Sequence, residues 1–276
     1  MKSRFRNNTV LICLLTSIGL ISCGDSNINI DSDFDNFPPF RNTDFKAFES
    51  ISEEVVVGNG SRVSLQGKNG NITVTSMSGA SSVLITGTKI VGSDSTQDAE
   101  DHLPMLEVHV QSLANDISIE TIQPQDTEGR QYVVDYAITL PNDSEIQISN
   151  SNGIVTLDAI DNDVTVNNTN GDVTLTDIAG SAEVSLVNGS IESEVTLPLN
   201  GTIDLRTVNG NINLSIPADT SAGFSADVTL GTISDSNLVF QSEVRTSTSL
   251  SGTLGNGQGT ISLETGSTGD INISGF

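Results

Sequence analysis

The chain has 276 residues and carries 35 Asp plus Glu against 11 Lys plus Arg, a formal net charge of −24. So large an excess of carboxylates repels phosphate backbones, so nucleic-acid recognition is excluded as a function. Hydrophobic residues make up 36% of the chain and aromatic residues only 4%, so any core must consist of aliphatic side chains. The abundance of Val, Ile and Leu favours a folded domain over a disordered one.

The N-terminal segment from Met1 to Ser22 has the pattern of a secretion signal. Lys2, Arg4 and Arg6 form a positive n-region, and an apolar stretch follows from Val10 to Ile21. Twelve helical residues span about 18 Å, less than the roughly 30 Å hydrocarbon core of a bilayer. A secretion signal therefore explains this segment better than a transmembrane helix does.

The signal ends in a motif that indicates lipidation. Leu20-Ile21-Ser22-Cys23 resembles the bacterial lipobox, in which the Cys is acylated and becomes the first residue of the mature protein. We therefore predict cleavage between Ser22 and Cys23 and lipidation of Cys23. The alternative is an ordinary signal peptide that happens to contain a Cys.

Cleavage at this point would change the charge and the cysteine content. The mature chain would have 254 residues, with 8 Lys plus Arg against 35 Asp plus Glu, a net charge of −27. Cys13 would leave with the signal, so neither a disulfide nor a Cys-based metal site is expected. Two or more acyl chains hold a protein stably on a membrane. The sequence thus predicts an envelope lipoprotein, at the outer membrane or cell surface rather than the cytoplasmic membrane.

Two further segments follow the signal. Residues 23–47 are rich in Asp, Asn, Ser and Pro, contain Phe34, Phe37 and Phe40, and are interrupted by Pro38-Pro39, so we predict a flexible tether. Residues 48–276 form the predicted domain, less regular over 48–148 and regularly repeated over 149–276.

The sequence of the domain contains a regular repeat. Asn-Gly occurs eight times, and glycines recur in the regular region at nearly equal intervals, at Gly153, Gly171, Gly189, Gly210 and Gly231. Aliphatic residues mostly follow each glycine at the second and fourth positions, with Thr, Asp, Asn, Ser or Glu between them. Spacing of two predicts strands with one buried face, and Gly supplies the φ > 0 that a corner needs.

The constant phase of the repeat decides between two all-β architectures. Asn-Gly also favours hairpins, but an antiparallel meander has no reason to keep one phase over successive units. A solenoid stacks equivalent positions of each coil about 4.8 Å above the last. We therefore predict an all-β, single-stranded parallel β-helix with coils of about 18–21 residues; an antiparallel β-sandwich or meander is the alternative. Stacking would place one aliphatic column inside: Val155, Val173, Ile191, Ile212 and Ile233.

Three sequence features carry a family resemblance. They are Tyr132 to Pro141, the run of Asn-Gly-x-Ile/Val-x-Leu units, and the C-terminal Gly269-Asp270-Ile271. Together they resemble a family of bacterial adhesin-like domains of unknown function. The resemblance implies a single-stranded β-helical fold in a cell-envelope protein, over roughly Phe48 to Phe276. The motifs define no catalytic residue, so the resemblance transfers none.

The residues offer little for catalysis. His102 and His109 lie outside the regular repeat, and Asp161 and Asp163 flank a turn where acids are ordinary. We predict a non-enzymatic protein for adhesion, interaction or scaffolding that needs no cofactor and binds a protein or glycan partner. A polysaccharide lyase or hydrolase and a periplasmic sensing or assembly partner are the alternatives.

One pair of acids is a candidate for a cation site. Stacking of the coils would place Glu183 over Asp204, and two like charges about 4.8 Å apart in water repel by about 1 kcal/mol. A bound cation would relieve that repulsion, and two solvated carboxylates are the alternative.

Overall fold

The structure, a computed structural model, describes residues 43–276. The predicted signal, its cleavage point at Ser22 and Cys23, and the predicted tether as far as residue 42 lie outside the described residues. In the described part, no helix is long and apolar enough to cross a membrane.

Strands make up nearly all of the regular secondary structure of the described chain. Their bounds in chain order are β1 Phe45–Val56, β2 Arg62–Gln66, β3 Ile72–Met77, β4 Ser82–Ser93, β5 Glu107–Leu113, β6 Asp116–Ile122, β7 Gln131–Pro141, β8 Glu145–Asn152, β9 Val155–Asp158, β10 Val164–Asn170, β11 Val173–Ile178, β12 Ala182–Asn188, β13 Ile191–Val195, β14 Thr202–Asn209, β15 Ile212–Ile216, β16 Ala222–Val228, β17 Ile233–Ser236, β18 Phe240–Arg245, β19 Ser249–Leu254, β20 Gly259–Thr268 and β21 Ile271–Gly275. One short helix, α1 Thr96–His102, and a 3-10 turn over Leu103–Met105 interrupt them. The first strand begins at Phe45, slightly before the predicted start of the domain at Phe48.

The strands form two sheets. The first has ten strands in the order β1-β4-β7-β3-β9-β11-β13-β15-β21-β17, and the second has eleven in the order β18-β19-β16-β20-β14-β12-β10-β8-β2-β6-β5. From β8 to β15 the chain alternates between the sheets, and each new strand pairs in parallel with the strand before it in the same sheet. The predicted all-β class is confirmed, and parallel pairing excludes an antiparallel meander for this region.

The register of the parallel pairs explains the sequence repeat. Val173 lies between Val155 on one neighbouring strand and Ile191 on the other, and all three side chains are fully buried. Thr156 and Thr174 alternate with them on the outward face of the same sheet. Inward Val, Ile and Leu side chains from both sheets thus fill one continuous aliphatic core. The scarcity of aromatic residues follows from this narrow interior.

The predicted column is wrong at its C-terminal end. The structure places Ile271, not Ile233, next to Ile212, and Ile233 pairs with the far side of Ile271. In the second sheet β20 likewise lies between β14 and β16. The reason is that Gly269-Asp270-Ile271 repeats the motif of the regular coils, so the last coil can occupy the position that chain order assigns to its predecessor.

The N-terminal end has the same topology. Strands β2 and β3 lie between the pair β6 and β7 on one side and the pair β8 and β9 on the other. The less regular region predicted over 48–148 is therefore an excursion of the chain that adds an outer coil before the repeat begins. Antiparallel strands complete both ends: β1 pairs with β4, β5 with β6, and β18 with β19.

The outer N-terminal coil contains a buried phenol. The Tyr136 side chain is buried, its hydroxyl lies 2.7 Å from the Thr121 hydroxyl, and burial raises its pKa from an ordinary 10.0 to about 12. Because the folded-state pKa of Tyr136 is raised, the neutral phenol makes its full contribution to the free energy of unfolding below pH 10.0. That contribution is lost as the pH rises towards 12. We expect the free energy of unfolding, measured by urea denaturation, to fall over that interval. Tyr136→Phe should make the fall smaller.

The second tyrosine provides the control for this prediction. Burial also raises the pKa of Tyr132, so Tyr132→Phe should remove a separate part of the alkaline loss of stability. A Tyr136→Phe variant that loses as much stability as the wild type over the same pH interval would contradict the assignment.

Candidate functional site

Most polar side chains at the corners of the coils support the fold. The side-chain amides of Asn152, Asn170, Asn188 and Asn209 form a ladder in which each Nδ2 donates to the Oδ1 of the preceding Asn, over 2.7 to 3.0 Å. The first acceptor of the ladder is Asn69. The abundance of Asn in the repeat therefore reflects hydrogen bonds between coils rather than a binding site.

Acidic residues at the corners have a similar role. The Asp172 carboxylate accepts a hydrogen bond from the Ser190 N–H over 2.8 Å. The Asp270 carboxylate accepts from the hydroxyl and the N–H of Thr232, and these bonds hold the pKa of Asp270 below its usual value. These carboxylates satisfy backbone donors of a neighbouring coil.

The two acids of the predicted cation pair are neighbours. Glu183 lies directly opposite Asp204 on β12 and β14. Both oxygens of Asp204, however, accept hydrogen bonds from the Arg206 guanidinium, over 2.8 and 2.9 Å, and this pairing raises the pKa of Arg206. Within residues 43–276, no group of three or more His, Cys, Asp or Glu side chains could hold a metal ion. Arg206 thus supplies the positive charge that a cation would have supplied.

The candidate acid and base residues are engaged separately. Asp161 accepts a hydrogen bond from the Asn142 amide, and Asp163 accepts one from the Ser181 N–H over 2.8 Å. His102 Nδ1 lies 2.7 Å from the Asp98 carbonyl oxygen, and His109 Nε2 lies 2.8 Å from a Glu107 carboxylate oxygen. The structure therefore assigns each of these residues a local structural contact.

A groove runs across the outward face of the second sheet. It has a volume of about 510 Å³ and crosses β8, β10, β12, β14 and β20 where these strands approach the Asn-Gly corners. Five strands at a spacing of about 4.8 Å give it a length of about 19 Å along the stacking direction. One wall is the column Ser149, Asn167, Ser185, Arg206 and Glu264. The other wall includes Thr169, Val187 and Val208.

The middle of the groove departs from the repeat. Between the two outward columns lies a column of inward-facing residues. In neighbouring coils the side chain in this column donates a hydrogen bond to the carbonyl of a corner glycine, as Asn150 does to Gly70 and Thr207 to Gly189. Leu186 occupies the same column and has no donor. Beyond it, Val187 and Val208 are 41% and 43% exposed, in an outward column that contains Thr169 one coil earlier. The groove thus has an apolar centre where the repeat predicts polar residues.

Asn168 compensates for Leu186. Its Nδ2 donates to the carbonyl oxygens of Gly153, Asn170 and Gly171, over 3.0, 3.3 and 3.1 Å, which includes the carbonyl that a donor at position 186 would have reached. The residue is only 4% exposed, and its Oδ1 has no hydrogen-bond partner in the described structure. A buried acceptor without a partner costs free energy unless something donates to it.

A second groove lies at the N-terminal Asn-Gly corner. It has a volume of about 650 Å³, and its lining includes Lys46, Arg130 and Asp135. The Arg130 guanidinium is bonded to Asp98 through Nε and Nη2 over 2.7 and 2.9 Å and to Glu128 through Nη1 over 2.9 Å. Asp135 also accepts a hydrogen bond from the Asn71 N–H, so Arg130 and Asp135 are both engaged in the fold.

Comparison with protein families identifies the chain. The profile described as Toastrack DUF4097 matches residues 26–274. The chain belongs to the Toastrack DUF4097 family. The predicted resemblance to adhesin-like domains of unknown function is thereby confirmed. A search of the curated proteins gives no match for this Toastrack chain.

Solved structures resemble the Toastrack chain at low identity. A candidate cell adhesion protein from Clostridium sporogenes is 15% identical, covers 83% of this chain and 100% of its own, and has a TM-score of 0.48. A candidate adhesin from Bacteroides fragilis is 15% identical, covers 82% of this chain and 97% of its own, and has a TM-score of 0.29. A candidate lipid binding protein from Parabacteroides distasonis is 11% identical, covers 83% of this chain and 98% of its own, and has a TM-score of 0.30.

Sequence reasoning missed the groove of this Toastrack chain. The signal was present in the repeat, because aligning Asn167-Asn168-Thr169 with Ser185-Leu186-Val187 shows two polar positions becoming apolar at once. The candidate catalytic and metal-binding residues predicted from the sequence were acids and histidines, and none of them lies in the groove. Departures from a regular repeat are more informative here than the residues that maintain it.

Proposed function

We propose that this chain is a lipid-anchored, non-enzymatic protein of the bacterial cell envelope that binds a partner through the groove on its second sheet. A single-stranded parallel β-helix with coils of about 18–21 residues would be the rigid scaffold for that groove. Acyl chains on Cys23 would hold the scaffold at the outer membrane or cell surface. Adhesion or scaffolding is the role that such an arrangement supports.

The observation that carries this proposal is the apolar centre of the groove. Exposed Val187 and Val208 are neighbours on the outward face of the second sheet, in a column that contains Thr169 one coil earlier. Single exposed apolar residues need no explanation, but neighbouring ones that interrupt a repeat and line a groove indicate an interaction surface. The signal sequence and lipobox support the envelope location, and the separately bonded Asp161 and Asp163 support a non-enzymatic role.

Photo-crosslinking in intact cells tests the proposal. The full chain would carry a photoreactive amino acid at position 187, and the cells would be fed a fatty-acid analogue that reports lipidation. We expect illumination to give an adduct of higher mass with an envelope component, and we expect the chain to carry the lipid label. Both results follow from a lipid-anchored protein whose groove is occupied in the envelope.

Two matched chains serve as controls. The photoreactive residue at position 176, exposed on the first sheet away from the groove, should give no such adduct. Cys23→Ala should abolish the lipid label. Equal crosslinking from positions 187 and 176 would refute the groove as the interaction face, and a label retained in Cys23→Ala would refute the anchor.

A further inference from the structure

We propose that two copies of this chain pair through their β1 strands, antiparallel and about a two-fold axis at Ser50, so that their first sheets become continuous. The inference goes beyond the proposed function, because neither the groove nor the lipid anchor takes part in the pairing. Its supports are the free edge of β1, the direction of the hydrogen-bonding groups along that edge, and the charges that one register places opposite each other.

The edge of β1 is the least protected strand edge in the described part of the chain. β1 is the terminal strand of the first sheet, has 12 residues without a Pro, and pairs with β4 without a register shift. Of the other terminal strands, β5 has 7 residues, β18 has 6 and a register shift, and β17 has 4. The edge of β17 is also covered, because Arg245 Nη1 donates to the Ile233 carbonyl. Short length, bulges and covering side chains protect strand edges from pairing, and β1 has none of them.

Alternate residues of β1 direct their backbone N–H and C=O groups at the free edge. Val57, directly after β1, donates its N–H to the Ser81 carbonyl over 3.0 Å, which continues the antiparallel pairing with β4. Opposed residues of an antiparallel pair alternate between hydrogen-bonded and non-hydrogen-bonded positions. The odd-numbered residues therefore bond to β4, and the even-numbered ones from Lys46 to Val56 present both groups at the edge. An added antiparallel strand can bond to all of them.

The sequence of β1 is complementary to itself when Ser50 lies opposite its own copy. In that register Lys46 lies opposite Glu54 on the outward face, and Phe45 opposite Val55 on the inward face, each twice about the axis. Opposite charges and apolar pairs at directly opposed positions stabilise a sheet. Phe45, which is 47% exposed in one copy, would be covered by the partner's Val55. Five hydrogen-bonded pairs of even-numbered residues would give about ten hydrogen bonds between the copies.

Neighbouring registers are excluded by like charges. A slide that keeps the even-numbered residues opposed must move the strands by two residues. In one direction this places Glu49 opposite its own copy, and in the other it places Glu49 opposite Glu53, and like charges directly opposite each other are destabilising. Longer slides shorten the paired segment. With Ser50 on the axis, Glu49 lies opposite Ile51 and keeps its ion pair with Lys89, over 2.8 Å.

The pairing determines how the two grooves are presented. A two-fold axis perpendicular to the first sheet keeps the inward faces of both copies on the same side. The two second sheets, and the grooves on their outward faces, would therefore point in the same direction. A partner with repeated binding groups can then engage both grooves, which increases avidity without any new contact.

Disulfide crosslinking of the full chain in intact cells tests the register. Ser50→Cys places two thiols on the axis, where the Cα atoms of a hydrogen-bonded antiparallel pair are about 5.5 Å apart, a distance that a disulfide spans. Under a mild oxidant we expect non-reducing electrophoresis to show an adduct of twice the mass of the chain, which reduction removes. The chain without the substitution, whose cysteines are Cys13 and Cys23, gives the background.

Ser52→Cys is the matched control. Ser52 is exposed and lies on the same face of β1 as Ser50, but in this register it is opposite Phe48. The two copies of residue 52 would be offset by four residues, about 14 Å along the strands, which a disulfide cannot span. We expect at least tenfold less dimer from Ser52→Cys than from Ser50→Cys.

An exchange of charges tests the pairs of Lys46 with Glu54. In the Ser50→Cys chain, Lys46→Glu places two acids opposite each other and should reduce the yield of dimer at least threefold. Adding Glu54→Lys to that variant restores opposite charges and should restore the yield. Circular dichroism would verify that each variant retains its strand content.

Three results would overturn the inference. They are a Ser50→Cys chain that gives no dimer above the background, equal yields from Ser50→Cys and Ser52→Cys, and a yield that Lys46→Glu leaves unchanged. An adduct of the Ser50→Cys chain with a different protein alone would mean that β1 pairs with another partner, and self-pairing would fail in that case as well.

Discussion

Gly171→Ala should destabilise the protein by about 4 kcal/mol or more, through backbone strain and steric overlap together. Gly171 has a φ of 118°, and a Cβ at this position would lie 2.2 Å from the Gly153 carbonyl oxygen of the neighbouring coil. A backbone carbonyl cannot move aside as the end of a flexible side chain can, and this one also accepts a hydrogen bond from the Asn168 side-chain amide. The free energy of unfolding from urea denaturation measures the loss.

Gly79→Ala separates strain from overlap. Gly79 also has a positive φ, of 76°, but a Cβ there would have no atom within 4 Å. Its replacement should cost only the conformational penalty of about 1–2 kcal/mol. Similar losses for the two variants would show that close approach of the coils at the Asn-Gly corner does not constrain the residue.

Val173→Asp should destabilise the protein by about 4 kcal/mol or more, because it places a carboxylate among aliphatic side chains without a hydrogen-bond partner. Val173 is fully buried between Val155 and Ile191. The surrounding column has no polar atom to receive the charge. Urea denaturation near neutral pH would measure this effect as well.

The control is an Asp substitution on the outward face, and it must be placed away from any existing charge. Thr174 alternates with Val173 but lies opposite Glu192, so an Asp there would add repulsion between like charges. Thr156 lies between Thr73 and Thr174 and has no charged neighbour in register. Thr156→Asp should therefore cost less than about 0.5 kcal/mol. A loss as large as that of Val173→Asp would refute the assignment of inward and outward faces.

The regular part of the fold could be predicted because each coil obeys the same local rules. Alternation of Val173 and Leu175 with polar residues determines which face is buried, and Gly171 marks the corner where only a residue tolerating positive φ fits. Equivalent positions then stack, so Val155 and Val173, which lie one repeat apart in the sequence, become direct neighbours in the structure.

The ends could not be predicted, because there the order of coils in space differs from their order in the chain. Ile212 is followed in the sequence by the coil of Ile233 and in space by that of Ile271, and both coils carry Gly and Ile at the required positions. Local patterns cannot choose between two equally suitable partners. The groove was missed for a related reason. Asn168 and Leu186 are neighbours across the sheet, and the exchange of a polar for an apolar residue between them is visible only when their two strands are paired.

The insertion of the last coil has a consequence for biosynthesis. Strands β20 and β21 pair with β14 and β15 on one side and with β16 and β17 on the other, so a chain lacking residues 259–275 would expose four strand edges at once. The strand of Thr202, β14, has only β12 as a partner until Thr260 and the rest of β20 pair with it. Because a chain emerges from the ribosome N-terminus first, the solenoid cannot be finished coil by coil. Its final residues close a gap already flanked by folded neighbours, which makes completion of the whole chain a condition for a stable product.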